Sequence, residues 1–128
     1  MHITRKNPIQ VPAPVGHYSH ITIIPKEANW YILSGQVGTL ADGTFEDTLM
    51  AQAITTFKHI KMVLATENLA ASDIVKVNIW ATEEIPWDLF DAEWHAFFGD
   101  SYPSMTIAYI SALGLPELKI ELDITAAK

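Results

Sequence analysis

Apolar and polar positions change period several times along the chain, and each change marks an element. Residues 7–18, NPIQVPAPVGHY, carry three prolines and a glycine and read as an extended lead-in without helix. Residues 20–24 alternate around Ile21, Ile23 and Ile24, a short strand, and PKEAN at 25–29 is a turn. WYILSGQV at 30–37 is β-branched and aromatic at its start, and Gly35 interrupts it where a bulge or a close approach is expected. The two strands are predicted to pair as a hairpin, followed by a loop at ADGT, 41–44.

From residue 45 to about 69 the period becomes helical. Met50, Ala53, Ile54, Phe57, Ile60 and Leu64 fall on one stripe, with Gln52, Thr56, His59 and Glu67 largely off it. DIVKVNIWA at 73–81 predicts a strand. Pro86 can open a second helix, Trp87, Phe90, Trp94 and Phe97 give that helix a buried stripe rather than a ligand cage, and Gly99 can close it. Residues 105–113 and 118–126 predict two further strands joined by the turn GLPE. The order β-β-α-β-α-β-β describes an α+β domain in which two helices cover one face of a sheet. Tyr31, Leu33, Val77, Ile79, Ile107 and Tyr109 are too apolar to leave both sheet faces in water, so the second face is expected against another subunit. Of Trp30 and Tyr31, one should face the core and the other the interface or cleft.

Composition narrows the function classes. With 128 residues, almost half of them hydrophobic, one domain spanning 1–128 is expected, residues 1–11 forming an extended N-terminal arm. The absence of cysteine excludes a disulfide framework, a thiolate metal site and a cysteine nucleophile. Neither a signal peptide nor a membrane span is legible, which points to the cytoplasm. Acidic residues outnumber basic ones by 15 to 8, a formal net charge of −7 at pH 7. The lysines are dispersed, and the single arginine, Arg5, sits beside Lys6 in a segment that reads as a flexible tail. Such a surface argues against nucleic acid as a partner. His17 and His20 are three apart, which in an extended segment turns them to opposite faces, so no metal site is expected. Asp91 and His95, four apart on the second helix, can pair across a turn. No catalytic serine triad and no glycine-rich phosphate loop suggests a cofactor or a nucleophile.

Four stretches, in order, carry a resemblance. They are PAPVGHYSH (12–20), ILSGQVG (32–38), the long AQAITTFKHIKMVLATENLAASDIVKVNIWAT (51–82) and YPSMTIAYISALGLPELKIELDITA (102–126). Together they resemble the Rid family of YjgF type, imine and enamine deaminases also known as L-PSP endoribonucleases. The resemblance implies a chorismate-mutase-like α+β fold and a homotrimer with a central barrel-like core of three sheets. It also implies clefts between neighbouring subunits that take a small-molecule ligand. There the family hydrolyses reactive imines and enamines to a keto acid and ammonia. An arginine holds the substrate carboxylate, and a glutamate, a tyrosine and a serine-glycine strand position the imine and a water.

Carried over residue by residue, the resemblance matches the tyrosine to Tyr18, the strand to Ser34, Gly35 and Gln36, and the glutamate to Glu121. Glu121 and Tyr18 are then the candidate catalytic residues, and Ser34, Gly35, Gln36, Met105 and His17 the candidate ligand contacts. His17 stands where the family often has proline. The arginine should lie two residues after Pro103, where this chain has Met105, and a cysteine of many members is replaced by Ile107. A guanidinium grips a carboxylate with two hydrogen bonds, whereas a thioether offers a soft apolar surface and no donor. Losing such a contact costs about 1.5–3 kcal/mol. The cleft should therefore favour a ligand that is neutral or apolar where the carboxylate would be, unless Lys119 or Arg5 supplies a cation. Two readings follow: an enzyme with Glu121 as acid/base and Tyr18 assisting, or a trimer that binds a metabolite or regulates a partner without chemistry. Ribonuclease activity ranks last on charge.

Overall fold

Six strands and two helices build an α+β architecture in the computed structural model, which describes residues 2–128. Met1, the first residue of the expected arm, lies outside the described residues. The strands are β1 (Thr4–Lys6), β2 (Ile21–Ile23), β3 (Trp30–Ile32), β4 (Ile74–Ala81), β5 (Ser104–Tyr109) and β6 (Ile120–Ala127). The helices are α1 (Leu49–Ala65) and α2 (Trp87–Phe98). A four-stranded sheet runs in the order β3-β6-β4-β5, and β1 and β2 form a separate antiparallel pair. β4 and β5 are parallel, joined through α2 as the crossover; the other pairings in the sheet are antiparallel.

Three sequence-based expectations give way here. Residues 4–6 are a strand rather than a flexible tail. The Arg5 guanidinium fastens them by donating to Ser72 O at 3.0 Å, Ile74 O at 2.8 Å and Ser101 Oγ at 3.2 Å. Strands β2 and β3 form no hairpin, because each has a different partner. Asn29 and Lys128 exchange backbone bonds of 2.9 and 3.0 Å, which lays β3 along β6 while β2 stays with β1. Finally, the last two strands are not neighbours: β4 lies between them.

The helix boundaries have local causes. Thr48 caps α1 by accepting the Ala51 N–H at 3.1 Å, so the helix starts after the apolar Phe45. It stops well before residue 69 because Asn68 takes a positive φ of 57° and Leu69 N–H returns to Leu64 O at 2.9 Å. Pro86 and Gly99 bound α2 as expected. Gln52 and Thr56, expected off the apolar stripe, are fully buried. The reason is hydrogen bonding: Gln52 Nε2 donates to Glu46 O and Glu117 O at 2.8 and 2.9 Å, its Oε1 accepts from Lys119 N–H at 2.8 Å, and Thr56 Oγ1 donates to Gln52 O.

Register decides which sheet residues meet the helices. Val77, Ile79 and Ala81 of β4, and Ile120, Leu122, Ile124 and Ala126 of β6, are buried under Phe57, Ile60, Phe90 and Trp94. Met105 and Ile107 pair in register with Val77 and Ile79 and so lie on this helix side. Tyr31 packs against the same core, leaving its neighbours Trp30 and Ile32 at 63% and 75% exposure. The residues expected to make the second face apolar, Tyr31, Leu33, Val77, Ile79, Ile107 and Tyr109, therefore all belong to the first. Trp30, Ile32 and Trp80 are the large apolar side chains at the paired positions of the open face. No helix among the described residues is long and apolar enough to cross a membrane.

Candidate functional site

The lead-in is pinned to the helix side of the sheet by bonds that its sequence conceals. Ser19, nearly fully buried, takes Pro103 O with its N–H at 3.1 Å and Tyr102 O with its hydroxyl at 2.6 Å. One step earlier, Trp94 Nε1 of α2 donates to His17 O at 2.8 Å. The His17 ring stacks on Tyr102 at 4.9 Å with the two planes nearly parallel, and Tyr18 folds back so that its hydroxyl accepts the Val15 N–H at 3.3 Å. These bonds bring residues 15–18 beside Met105 and Ile107. Between them and α2 lies a cavity of about 360 Å³. Tyr18, His17, Trp87, Asp91, Trp94 and Met105 contribute to its lining.

The other candidates gather where the chain after β3 runs along β6, with Glu121 on the open face and Gln36 turned to the helix side. Leu33 N–H bonds Ile124 O at 3.0 Å, and Gln36 exchanges two bonds with Leu122 at 2.8 and 3.0 Å. Ser34 and Gly35 thus oppose the single residue Asp123, which is a β-bulge. The bulge brings the Gly35 backbone directly over Glu121 and Asp123. A Cβ on Gly35 would overlap the Glu121 carboxylate, so the close approach expected of this glycine is real. The Gln36 side chain turns back to donate to Ser34 O at 2.9 Å. Glu121 pairs across the ladder with Trp80, whose indole Nε1 donates to Asp123 Oδ2 at 2.8 Å. Burial, then the adjacent Asp123 carboxylate, raises the Glu121 pKa.

The two groups are separated by the sheet itself. Glu121 alternates with Ile120 and Leu122, which are fully buried under the helices, whereas Met105 shares the helix side with Val77. Within one chain, Tyr18, His17 and Met105 come together, and so do Gly35 and Glu121 beside Ser34, but the two sets do not meet; Gln36, bridged to Leu122, turns to the helix side near the end of α1.

Neither alternative cation lines the cavity. Lys119 Nζ lies 3.8 Å from Glu83, and Arg5 is engaged at the start of β4 in a separate cavity with Asp73. Burial lowers the Arg5 pKa, and the Asp73 charge opposes that shift. The predicted Asp91–His95 pair does not form: His95 Nδ1 meets the Tyr102 hydroxyl at 2.8 Å and Asp100 at 3.8 Å. Asp91 faces the cavity instead. Sequence reading missed that role, and it also missed Trp87 and Trp94 as cavity wall. The signal was available in the spacing, since 87, 91 and 94 share one helix face.

A family model described as Endoribonuclease L-PSP matches residues 8–128. A RutC family protein of Buchnera aphidicola is 27% identical over 125 residues, covering 95% of each chain. Protein HMF1 of Saccharomyces cerevisiae is 28% identical over 118 residues, covering 91% of this chain and 88% of its own. Among solved structures, YyfB of Yersinia pestis, described as a protein of unknown function of the conserved Rid protein family, superposes with a TM-score of 0.87. That match has 26% identity and covers all of both chains.

Proposed function

The chain belongs to the endoribonuclease L-PSP family, the Rid or YjgF group, and within it we propose a small-molecule protein whose working cleft is shared between two subunits of a homotrimer. One subunit contributes the cavity of Tyr18, His17 and Met105, and its neighbour contributes the bulge at Ser34, Gly35 and Gln36 with Glu121. The observation that carries this reading is the division of the candidate residues between opposite faces of one sheet. A single chain cannot use both sets on one ligand. The exposed Trp30 and Ile32 on the open face supply apolar surface for such an interface.

The chemistry proposed for the cleft is hydrolysis of deaminase type on an imine-like compound, releasing a carbonyl compound and ammonia. A carboxyl group with a raised pKa, held beside exposed backbone, suits proton transfer to nitrogen and activation of water. Met105 argues against ordinary 2-imino acids, because the cavity then offers their carboxylate no fixed cation. A contact of about 1.5–3 kcal/mol is missing, which lowers the specificity constant roughly ten- to a hundredfold. The dispersed basic residues and the net charge of −7 argue against RNA as the substrate.

The test couples assembly to activity. Light scattering should give about three times the chain mass, and a clean monomer would sink the shared cleft. Ammonia release should be slow from 2-iminopropanoate and faster from a carboxylate-free imine, and Glu121→Ala should abolish it. Met105→Arg should gain activity on 2-iminopropanoate. If the wild-type trimer accelerates neither imine and Met105→Arg gains nothing, the cleft binds a ligand without turning it over. The apolar wall at Met105 favours that second reading.

A further inference from the structure

We infer that the helix-side cavity takes a small organic cation, an ammonium or iminium nitrogen on an apolar body, with Asp91 as its counter-ion. This names a ligand class for the cleft proposed above and rests on that reading for where the cleft lies. The case is built from the cavity wall alone. Four aromatic side chains line it: Tyr18, Trp87, Phe90 and Trp94. Indole and phenol rings carry negative charge on their faces and attract cations, tryptophan most strongly. Asp91 supplies the one carboxylate of the lining among the described residues, and no lysine or arginine joins it. Among the described residues no hydrogen bond or ion pair engages the Asp91 side chain, since the ion pairs involve Asp100 and Glu83. Met105 adds a polarizable thioether and no donor.

Such a wall selects by charge. An anion would meet aromatic faces and the Asp91 carboxylate, with only neutral donors, the Trp87 indole N–H and the Tyr18 hydroxyl, and the His17 ring to offset them. A neutral body of the same shape would gain the apolar contact and forgo the charge. A cation gains both, and the half-buried Tyr18 and Trp87 rings, backed by the buried Phe90 and Trp94, shield its charge from water, so that ion–aromatic attraction is stronger than at an exposed site. The position of Asp91 fits the purpose: it stands one turn beyond Trp87 and one turn before Trp94, so a nitrogen next to its carboxylate is flanked by indoles on the same helix face.

Titration calorimetry with three probes of similar shape tests the inference: benzylammonium, benzyl alcohol and benzoate. Benzylammonium should bind about tenfold more tightly than benzyl alcohol, and benzoate most weakly. Asp91→Asn, nearly isosteric and partly exposed, should erase the preference for the cation over the alcohol. Trp87→Leu should weaken the cation more than the alcohol, and Met105→Arg should move the preference toward benzoate. Benzoate equal to or tighter than benzylammonium, no binding of any probe, or an Asp91→Asn protein that keeps the preference would each overturn the inference. The shared cleft fails separately. A cation preference lost in Asp91→Asn but unchanged in Glu121→Gln, in a protein that scatters as a monomer, keeps this inference and rejects the two-subunit site. A trimer that releases ammonia from imines but prefers benzoate rejects this inference alone.

Discussion

The two faces of the sheet hold two kinds of site. On the open face, Glu121, Asp123 and the Gly35 bulge are fixed almost entirely by backbone register: strand alternation sets the carboxylates out and the bulge sets the glycine over them. On the helix side, the cavity is fixed by side-chain packing, with Trp94 and Ser19 tying separate segments together. A site made by register tolerates changes of its side chains but not of its backbone spacing. A site made by packing does the reverse.

The largest effect should come from the packed side. Trp94 is almost completely buried, rests on Phe57 and Phe90, and holds the lead-in through His17 O. Trp94→Ala should lower unfolding free energy by about 3–5 kcal/mol, measured by urea titration. Trp94→Phe keeps a ring and loses the bond, and should cost less. Equal costs for the two would mean that the hydrogen bond, not the packing, carries the cavity.

On the register side the sensitive position is Gly35. Gly35→Ala forces a methyl group into the space of the Glu121 carboxylate and should cost about 1–3 kcal/mol by the same titration. Adding Glu121→Ala to that variant should recover much of the loss. A Gly35→Ala protein as stable as wild type would show that the Glu121 side chain swings clear of the added methyl and that this close approach does not hold the site.

The smallest effect is the pH response of Glu121. Its folded pKa is raised, by burial first and by Asp123 second. The native state therefore holds this proton over a window in which the unfolded chain has released it, and stability falls as pH rises through that window. The contribution is fully present below the unfolded carboxylate pKa and is lost above the folded one. Glu121→Gln should flatten this part of the stability–pH curve, and an unchanged curve would place the titration elsewhere. Trp80→Phe, by freeing Asp123 from its indole donor, should alter the same window.

What could be read from the sequence follows the same division. β6 was legible by alternation, β4 by its β-branched run, and α2 by its stripe between Pro86 and Gly99. Gly35 was legible as a close approach because glycine inside a strand has few other reasons to be there. β1 was not legible: three residues carry no period, and what holds them is Arg5 reaching the start of β4 from far along the chain. The burial of Gln52 was hidden because its polarity is spent on backbone groups at 46, 117 and 119. The cavity came through only in parts. A resemblance suggested Tyr18, His17 and Met105, but local spacing gave Asp91 to His95, because helix geometry alone cannot say that Tyr102 occupies that histidine.

The central position of β6 has a consequence for synthesis. Both of its neighbours, β3 and β4, precede it in the chain. As the polypeptide leaves the ribosome, these strands emerge with bare edges and no partner between them, and the hydrophobic faces of α1 and α2 have only half a sheet to cover. Nothing local can close that gap, because the missing strand follows every other strand of the sheet. The nascent chain thus passes through a stage with unpaired edges and uncovered apolar surface, the condition in which strands recruit the wrong partner. Emergence of residues 120–127 completes the sheet in a single event, so a nascent chain that has not yet exposed them is an aggregation-prone, chaperone-binding intermediate.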